Sequence, residues 1–78
     1  MASNPDRYEL LAQLLRDMRV KANLTQTELA ISLDKPQSYV SKYESGERRL
    51  DLVELADLCG VLGVTLPELV ARFLDRRK

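Results

Sequence analysis

The residues best suited to chemistry lie in one polar segment, residues 34–51, which reads "DKPQSYVSKYESGERRLD". Four of its side chains can hydrogen-bond to the edges of nucleic-acid bases: Gln37, Ser38, Ser41 and Lys42. A glutamine amide can pair bidentately with adenine, a serine hydroxyl can donate or accept, and a lysine ammonium can reach guanine. The same side chains also keep a surface helix soluble, so the segment by itself fits either a reading surface or a solvated face.

The composition offers few of the residues that catalytic and metal sites require. The chain has no histidine and one cysteine, Cys59, which leaves no Ser-His-Asp or Cys-His arrangement and no histidine-containing zinc site. Three glycines are too few for a phosphate-cradling loop. The carboxylate pairs Asp6 with Glu9 and Glu54 with Asp57 have helical spacing, which indicates caps and solvated faces. We therefore predict that the protein is not an enzyme and needs no cofactor or metal.

The length of 78 residues allows one domain with one small core. A single cysteine cannot form an internal disulfide, so we expect stability to come from helix packing and dimerisation. No apolar run approaches the roughly 18 residues of a membrane span, and the start "MASNPDRYEL" lacks the layout of a signal peptide. These features predict a reduced, cytoplasmic setting with no membrane partner.

Charge is balanced over the whole chain but uneven along it. Twelve basic and twelve acidic residues give a net charge of zero, which does not indicate a nucleic-acid partner. Residues 35–49 nevertheless carry a net charge of +2, residues 50–71 carry −4 and residues 72–78 carry +3. Taken alone, this pattern also fits an ordinary scatter of surface charge.

These polar groups must be positioned by helices, because helical periodicity runs through almost the whole chain. A first helix is predicted from residue 5 or 6 to residue 22, begun by Asn4 and Pro5 or by Asp6 and Glu9. An apolar stripe at three- and four-residue steps forms its inner face: Leu11, Leu14, Leu15, Met18 and Ala22.

Two short helices follow the first. Thr25 and Glu28 have the spacing of a capping box, which predicts a second helix of about nine residues. Pro36 suits a first helical turn and Gly46 suits the left-handed residue after a helix end. A third helix is therefore predicted over residues 36–45.

Two more helices are predicted after the polar segment. Asp51 caps a fourth helix that ends at Gly63, and its inner face is Leu52, Leu55, Ala56, Leu58 or Cys59, and Leu62. Thr65 and Glu68 form another capping box, which begins a fifth helix through Leu69, Val70, Phe73 and Leu74. No segment has the pattern of a strand, so the predicted fold class is all-α with five short helices.

The third helix has two different faces. Val40 and Tyr43 are three residues apart and point towards a core, whereas the glutamine, serine and lysine side chains lie opposite. A short helix, a tight turn and a second short helix describe a helix-turn-helix. In that motif the second helix enters the major groove of DNA.

The stretch "LTQTELAISLDKPQSYVSKYESGERRLDLVELADLCGVLGVTLPELV" strongly resembles the phage lambda-type repressors and Cro proteins, also called the XRE family. The resemblance covers about residues 8–74 and implies a compact five-helix lambda-repressor-like domain whose helices 2 and 3 form the helix-turn-helix. Two positions depart from the family pattern: Asp34 stands where many members have glycine, and Pro36 replaces the usual serine or threonine cap.

The resemblance also implies roles for individual residues. Those implied to contact bases are Gln37, Ser38, Ser41 and Lys42. Those implied to contact phosphates are Gln26, Tyr39, Tyr43, Ser45, Arg48 and Arg49, although Tyr39 can equally cover the core. Arg19 and Glu44 match a buried structural ion pair that ties the first helix to the third.

From this resemblance we expect a small, sequence-specific double-stranded DNA-binding regulator of bacterial or prophage type that acts as a repressor. It would bind a palindromic operator as a homodimer and associate with the nucleoid in the cytoplasm. The expected layout is an N-terminal segment over 1–7, the helix-turn-helix domain over 8–74 and a basic tail over 75–78.

Two alternatives stay open at this level. Val70, Phe73 and Leu74 are the predicted dimer interface, but the same residues can simply close a small core. An antitoxin-like or bridging protein can also use this fold for protein interaction. A partner-binding third helix would expose leucine or aromatic surface, whereas the polar residues on this one favour DNA.

Overall fold

The structure is a computed structural model that describes residues 6–76, and every regular element in that range is an α-helix. The helices are α1 (Arg7–Lys21), α2 (Gln26–Ser32), α3 (Gln37–Glu44), α4 (Leu52–Leu62) and α5 (Leu66–Arg76). The prediction of an all-α, five-helix fold is confirmed. None of the described helices is long and apolar enough to span a membrane.

Side-chain caps set the starts of the helices. Asp6 accepts a hydrogen bond from the backbone N–H of Tyr8 at 2.8 Å and begins α1, while the alternative start at Asn4 and Pro5 lies outside the described residues. Thr25 and Glu28 form the predicted capping box at α2, with bonds of 2.9 and 3.0 Å. Equivalent boxes begin the last two helices, and each satisfies two backbone N–H groups that the helix itself leaves unpaired.

The turn between α2 and α3 accommodates both departures from the family pattern. Asp34 has a φ of +58°, the left-handed conformation that a glycine would adopt without steric cost. Aspartate is among the residues that tolerate this conformation best, so the turn keeps its shape. Pro36 precedes α3 as its N-cap and provides no side-chain hydrogen bond, but its ring holds φ at −69°.

The core is assembled mainly by α1, α2 and α3, with α4 and α5 closing it. Leu29 of α2, Val40 of α3, Leu58 of α4 and Leu69 of α5 are each almost fully buried. Leu14, Leu15 and Met18 of α1 complete the cluster, as the stripe on that helix predicts. Because α3 contributes Val40 and Tyr43 to this cluster, its backbone is held against the body of the domain.

Part of the predicted inner face of α1 and α4 is wrong. Ala22 is exposed because it follows the last helical residue of α1, and Leu52 and Ala56 are exposed on α4. The inward side of α4 is centred on Leu58 and Cys59, with Leu55 and Leu62 partly buried against the core as predicted, so Leu52 and Ala56 face outward. The exposed fraction of Leu52 is 66%.

The fifth helix includes the start of the predicted basic tail. Arg76 is the last residue of α5, and its Nη2 lies 2.6 Å from Oδ2 of Asp17 on α1. This exposed ion pair connects the last helix to the first. Val70 and Leu74 are about half exposed on the outer side of α5, whereas Phe73 packs against the core.

Gly60 within α4 and Gly63 directly after it allow a matched test of backbone geometry. Gly63 ends the helix with a φ of +75°, whereas Gly60 is an exposed helical residue, and neither would bring an added Cβ within 4 Å of another atom. We expect Gly60→Ala to raise the free energy of unfolding by about 0.5–1 kcal/mol, because alanine restricts the unfolded chain. Gly63→Ala should lower it by about 1–2 kcal/mol, because the left-handed conformation strains an L residue. Urea denaturation of both variants measures this; a shift of the same sign in both would contradict the assignment.

Candidate nucleic-acid interface

The outer face of α3 presents the polar side chains predicted to read bases. Val40 and Tyr43 hold the helix from beneath, with exposed fractions of 0% and 2%. On the opposite side Gln37, Ser38 and Lys42 are exposed, and Ser41, which is also on α3, is half-buried. The helix is therefore rigidly placed and carries hydrogen-bonding groups towards solvent, as insertion into a major groove requires.

Gln26 connects the two helices of the motif. Nε2 of Gln37 donates to Oε1 of Gln26 at 2.7 Å, and Nε2 of Gln26 donates to Oε1 of Glu44 at 3.1 Å. This chain of hydrogen bonds fixes the orientation of the Gln37 amide at the first turn of α3. The side-chain amide oxygen of Gln37, Oε1, has no partner among the described residues, so it is free to accept a hydrogen bond from a base.

Arg19 and Glu44 lie together as a buried ion pair beneath the interface. Nε of Arg19 is 2.7 Å from Oε2 of Glu44, Nη2 donates to Oε1 at 3.0 Å, and Nη1 donates to the carbonyl oxygen of Leu24 at 2.8 Å. The side chains are 11% and 3% exposed. The hydrogen bond with Glu44 raises the pKa of Arg19. The bidentate contact joins α1 to the end of α3 and fixes the position of α3 relative to α1.

Tyr43 does not fit the predicted contact with a phosphate. Its hydroxyl is fully enclosed and has no hydrogen-bond partner among residues 6–76, and burial raises the pKa of Tyr43. Its ring meets the ring of Tyr39 edge-on, with centroids 5.7 Å apart. The inward side of α3 that places Val40 in the core places Tyr43 there as well, so the residue supports the helix and does not reach the surface.

Tyr39 instead joins a surface cluster with Arg48 and Glu54. The Tyr39 hydroxyl donates to Oε2 of Glu54 at 3.0 Å, and Nη2 of Arg48 lies 2.9 Å from the same oxygen. The Arg48 guanidinium also stacks over the Tyr39 ring, 4.7 Å from its centroid, and the Lys35 ammonium lies 5.4 Å from it. Burial raises the pKa of Tyr39 to about 12. Tyr39 therefore covers the core with its ring while its hydroxyl lies among charged groups.

The remaining predicted phosphate ligands lie at the end of α3 and in the loop after it. The Ser45 hydroxyl is 3.0 Å from both the carbonyl oxygen of Lys42 and a carboxylate oxygen of Glu47. The Arg49 guanidinium lies 3.8 Å from the centroid of the Tyr8 ring of α1. Within the described range neither Lys42 nor Arg49 is paired with a carboxylate, so both positive charges are available to a ligand.

Glu54 is the site residue that sequence reasoning missed. Its position three residues after Asp51 marks it as a helix cap, and the structure shows that it has this role, with Oε1 accepting the backbone N–H of Asp51 at 3.0 Å. The other carboxylate oxygen faces Tyr39 and Arg48. No local signal predicts this second role, because the three residues come from α3, the loop and α4.

The Glu54 contacts predict a pH dependence of stability. The hydrogen bond from Arg48, assisted by the backbone N–H of Asp51, lowers the pKa of Glu54 to about 2. Because the folded pKa is below that of the unfolded chain, the stabilisation is present above about pH 4.3 and is lost as the pH falls towards 2. Urea denaturation at a series of pH values should show a stability difference between the wild type and Glu54→Gln at pH 5 that disappears near pH 2. Arg48→Gln should reduce that difference at pH 5; an unchanged difference would contradict the cause.

Comparisons with known proteins agree with this geometry. A helix-turn-helix family model matches residues 15–69. Control protein C.MunI from Mycoplasma sp is 39% identical over 49 residues, which cover 63% of this chain and 66% of that protein, just under two thirds of its length.

Two solved structures have the same arrangement of helices. An XRE-family like protein from Pseudomonas syringae pv. tomato str. DC3000 is 42% identical, with a TM-score of 0.82 over 92% of this chain and 88% of that chain. The restriction-modification controller protein C.Esp1396I, solved as a tetramer in complex with its natural 35-base-pair operator, is 18% identical. It matches 92% of this chain and 95% of its own with a TM-score of 0.82, which at this identity shows the fold alone.

Proposed function

The chain belongs to the XRE-type helix-turn-helix family of DNA-binding transcription regulators, which are not enzymes, and we propose that it represses transcription by binding a specific operator as a homodimer. The observation that carries this proposal is the outer face of α3. That face is polar, is held from beneath by Val40 and Tyr43, and lies beside Lys42 and Arg49, which have no carboxylate partner among residues 6–76. We propose repression because a dimer whose operator overlaps a promoter blocks access of RNA polymerase to it.

The exposure of the side chains on α3 supports the proposed division of contacts. Gln37, Ser38 and Lys42 are exposed on α3 and are assigned to base edges, with Ser41 beside them. The proposed phosphate ligands are Gln26, Tyr39, Ser45, Arg48 and Arg49. Residues 8–74 are proposed as the DNA-binding domain, between a starting segment over 1–7 and a basic tail over 75–78, and the family match at 15–69 lies within it.

A protein-interaction role is less well supported. The large exposed hydrophobic side chains among the described residues lie on other helices, and none lies on α3. Because α3 has no large exposed hydrophobic side chain, its outer face favours DNA over a protein partner. The name of the related control protein C.MunI also favours a regulatory role. A nucleoid-bound regulator would act in the cytoplasm.

The test is selection of bound sequences from random duplex DNA, carried out at two salt concentrations. We expect a palindromic consensus with half-sites about 34 Å apart. The two copies of α3 in a dimer are related by a two-fold axis, so they contact the same sequence on opposite strands. With about 6–10 phosphate contacts in the dimer, affinity should fall by about 10³ to 10⁵ between 50 and 200 mM salt. Absence of any enrichment at low salt would overturn the proposed function.

We propose that the dimer forms through the outer side of α5. Val70 and Leu74 are 46% and 47% exposed, and Phe73 packs beneath them against the core. A second copy could cover the two exposed side chains, which are one helical turn apart. This places two reading helices on one assembly, as a palindromic operator requires.

Charge at this surface should dissociate the dimer. We expect Val70→Glu or Leu74→Glu to shift the protein from dimer to monomer in sedimentation velocity, because each buries an unpaired carboxylate in the proposed interface. Ile31→Glu is the control, since Ile31 on α2 is 73% exposed and lies outside α5. A wild type that stays monomeric at high micromolar concentration would contradict this interface.

A further inference from the structure

Two of the proposed phosphate ligands share one carboxylate oxygen. The Tyr39 hydroxyl and the Arg48 guanidinium lie 3.0 and 2.9 Å from Oε2 of Glu54. A hydroxyl donor and a guanidinium converging on an anionic oxygen form the arrangement that these groups would make with a backbone phosphate. Glu54 therefore occupies, within the protein, the position of acceptor that DNA would take.

We propose that Glu54 competes with DNA phosphate for Arg48 and Tyr39 and thereby limits the affinity of the protein for DNA. The inference rests on the proposed DNA-binding function and adds an affinity-determining residue to it. Glu54 is a residue that acts through Arg48 and Tyr39; it need not touch DNA itself.

The Glu54 carboxylate is held in place, whereas the Arg48 side chain can move. Both ends of Glu54 are held by the capping box of α4, in which Oε1 accepts the backbone N–H of Asp51 and the backbone N–H of Glu54 donates to Oδ1 of Asp51 at 2.8 Å. Arg48 lies in the loop between α3 and α4, and its side chain is 40% exposed. An exposed arginine on a loop can exchange one anionic acceptor for another at small cost.

The competition concerns Arg48 and leaves the positive charges of Lys42 and Arg49 unaffected. Lys42 and Arg49 are not paired with a carboxylate within residues 6–76, so each can meet a phosphate without first breaking an ion pair. Arg48 must give up its contact with Glu54. This lowers the sequence-independent attraction to any DNA, which raises the share of binding that depends on base contacts.

Glu54→Gln tests the competition because glutamine retains the cap and removes the negative charge. Asp57→Asn is the matched control, since it removes one negative charge from an exposed position on the same helix. Fluorescence anisotropy with a random-sequence duplex, over a series of salt concentrations, measures affinity without a known operator. We expect Glu54→Gln to bind about twofold to fivefold more tightly per protomer than Asp57→Asn, the range set by exposed ion pairs.

A second pair of variants separates competition from a general charge effect. In an Arg48→Gln background, adding Glu54→Gln should strengthen binding no more than adding Asp57→Asn does, because no arginine remains to be released. Thermal melts show whether each variant is folded. Glu54→Asp has a shorter side chain that withdraws from Arg48, so it should also raise the affinity for random duplex, but by less than Glu54→Gln.

Three results would overturn the inference while the proposed function stands: equal binding by Glu54→Gln and Asp57→Asn, weaker binding by a folded Glu54→Gln, or a gain over Asp57→Asn that persists without Arg48. Weaker binding would mean that Glu54 orients Arg48 for DNA. If the wild type and the variants all fail to bind random duplex at low salt, this inference fails, whereas the proposed function is decided separately by the selection experiment.

Discussion

Replacing Arg19 with methionine should lower the free energy of unfolding by about 3–5 kcal/mol, because the substitution leaves the buried carboxylate of Glu44 without its cation. Glu44 is 3% exposed at the side chain, so water cannot replace the lost contact. The carbonyl oxygen of Leu24 also loses its hydrogen bond from Nη1. In a domain of this size 1 kcal/mol shifts Tm by about 4–8 °C, so Tm should fall by more than about 12 °C. Calorimetry and urea denaturation measure both quantities.

The double variant Arg19→Met, Glu44→Met separates a missing contact from a stranded charge. With both charges removed, at least half of the lost stability should return, since two apolar side chains can fill the same space without a desolvation cost. Full recovery is not expected, because Nε2 of Gln26 loses its acceptor on Glu44. If Arg19→Met alone costs less than about 1 kcal/mol, the pair does not have the structural role that its burial indicates.

Replacing Gln37 or Lys42 with alanine should lower affinity for the selected operator by about 5-fold to 150-fold per protomer, the equivalent of about 1–3 kcal/mol per base contact. Both side chains are exposed on α3, and neither belongs to the core, so stability should change little. For Gln37→Ala, affinity for random duplex should stay close to that of the wild type, since the side chain is neutral and discriminates between bases. Titration of operator and random duplex with each variant measures the ratio.

Arg49→Ala is the matched comparison, because Arg49 is assigned to a phosphate. This variant should weaken binding to operator and random duplex by the same factor and should reduce the salt slope by about 0.9 per protomer. A loss confined to the operator would move Arg49 from the phosphate contacts to the base contacts. A uniform loss for Gln37→Ala would move Gln37 in the opposite direction.

Helix boundaries could be predicted from the sequence because they depend on neighbours along the chain. Thr25 and Glu28 begin α2, and Gly63, with a φ of +75°, ends α4 as its pattern predicts. The rotation of α4 could not be predicted, because this helix is apolar on several sides. Leu52 and Val53 have the same residue character as Leu58, yet the former two are 66% and 70% exposed and the last is 1% exposed.

The candidate site likewise has features that the sequence predicts and features that it does not. Periodicity correctly placed Val40 and Tyr43 beneath α3, but it did not show that the Tyr43 hydroxyl would be enclosed as well. The pairing of Arg48 with Glu54 also could not be predicted, since it depends on the angle at which α4 leaves the loop. An alignment of residue types to a family assigns roles position by position and cannot show such contacts.

The sequence alone determined the capping boxes that begin α2, α4 and α5, the glycine that ends α4, and which residue types face outward on α3, because caps, turns and periodicity act over a few residues. Only the tertiary structure decided which of those groups are available to a ligand. Lys42 and Arg49 are without a carboxylate partner among the described residues, Arg48 is held by Glu54, and the Tyr43 hydroxyl is enclosed. The reason is that pairing and burial depend on how helices distant in sequence pack together.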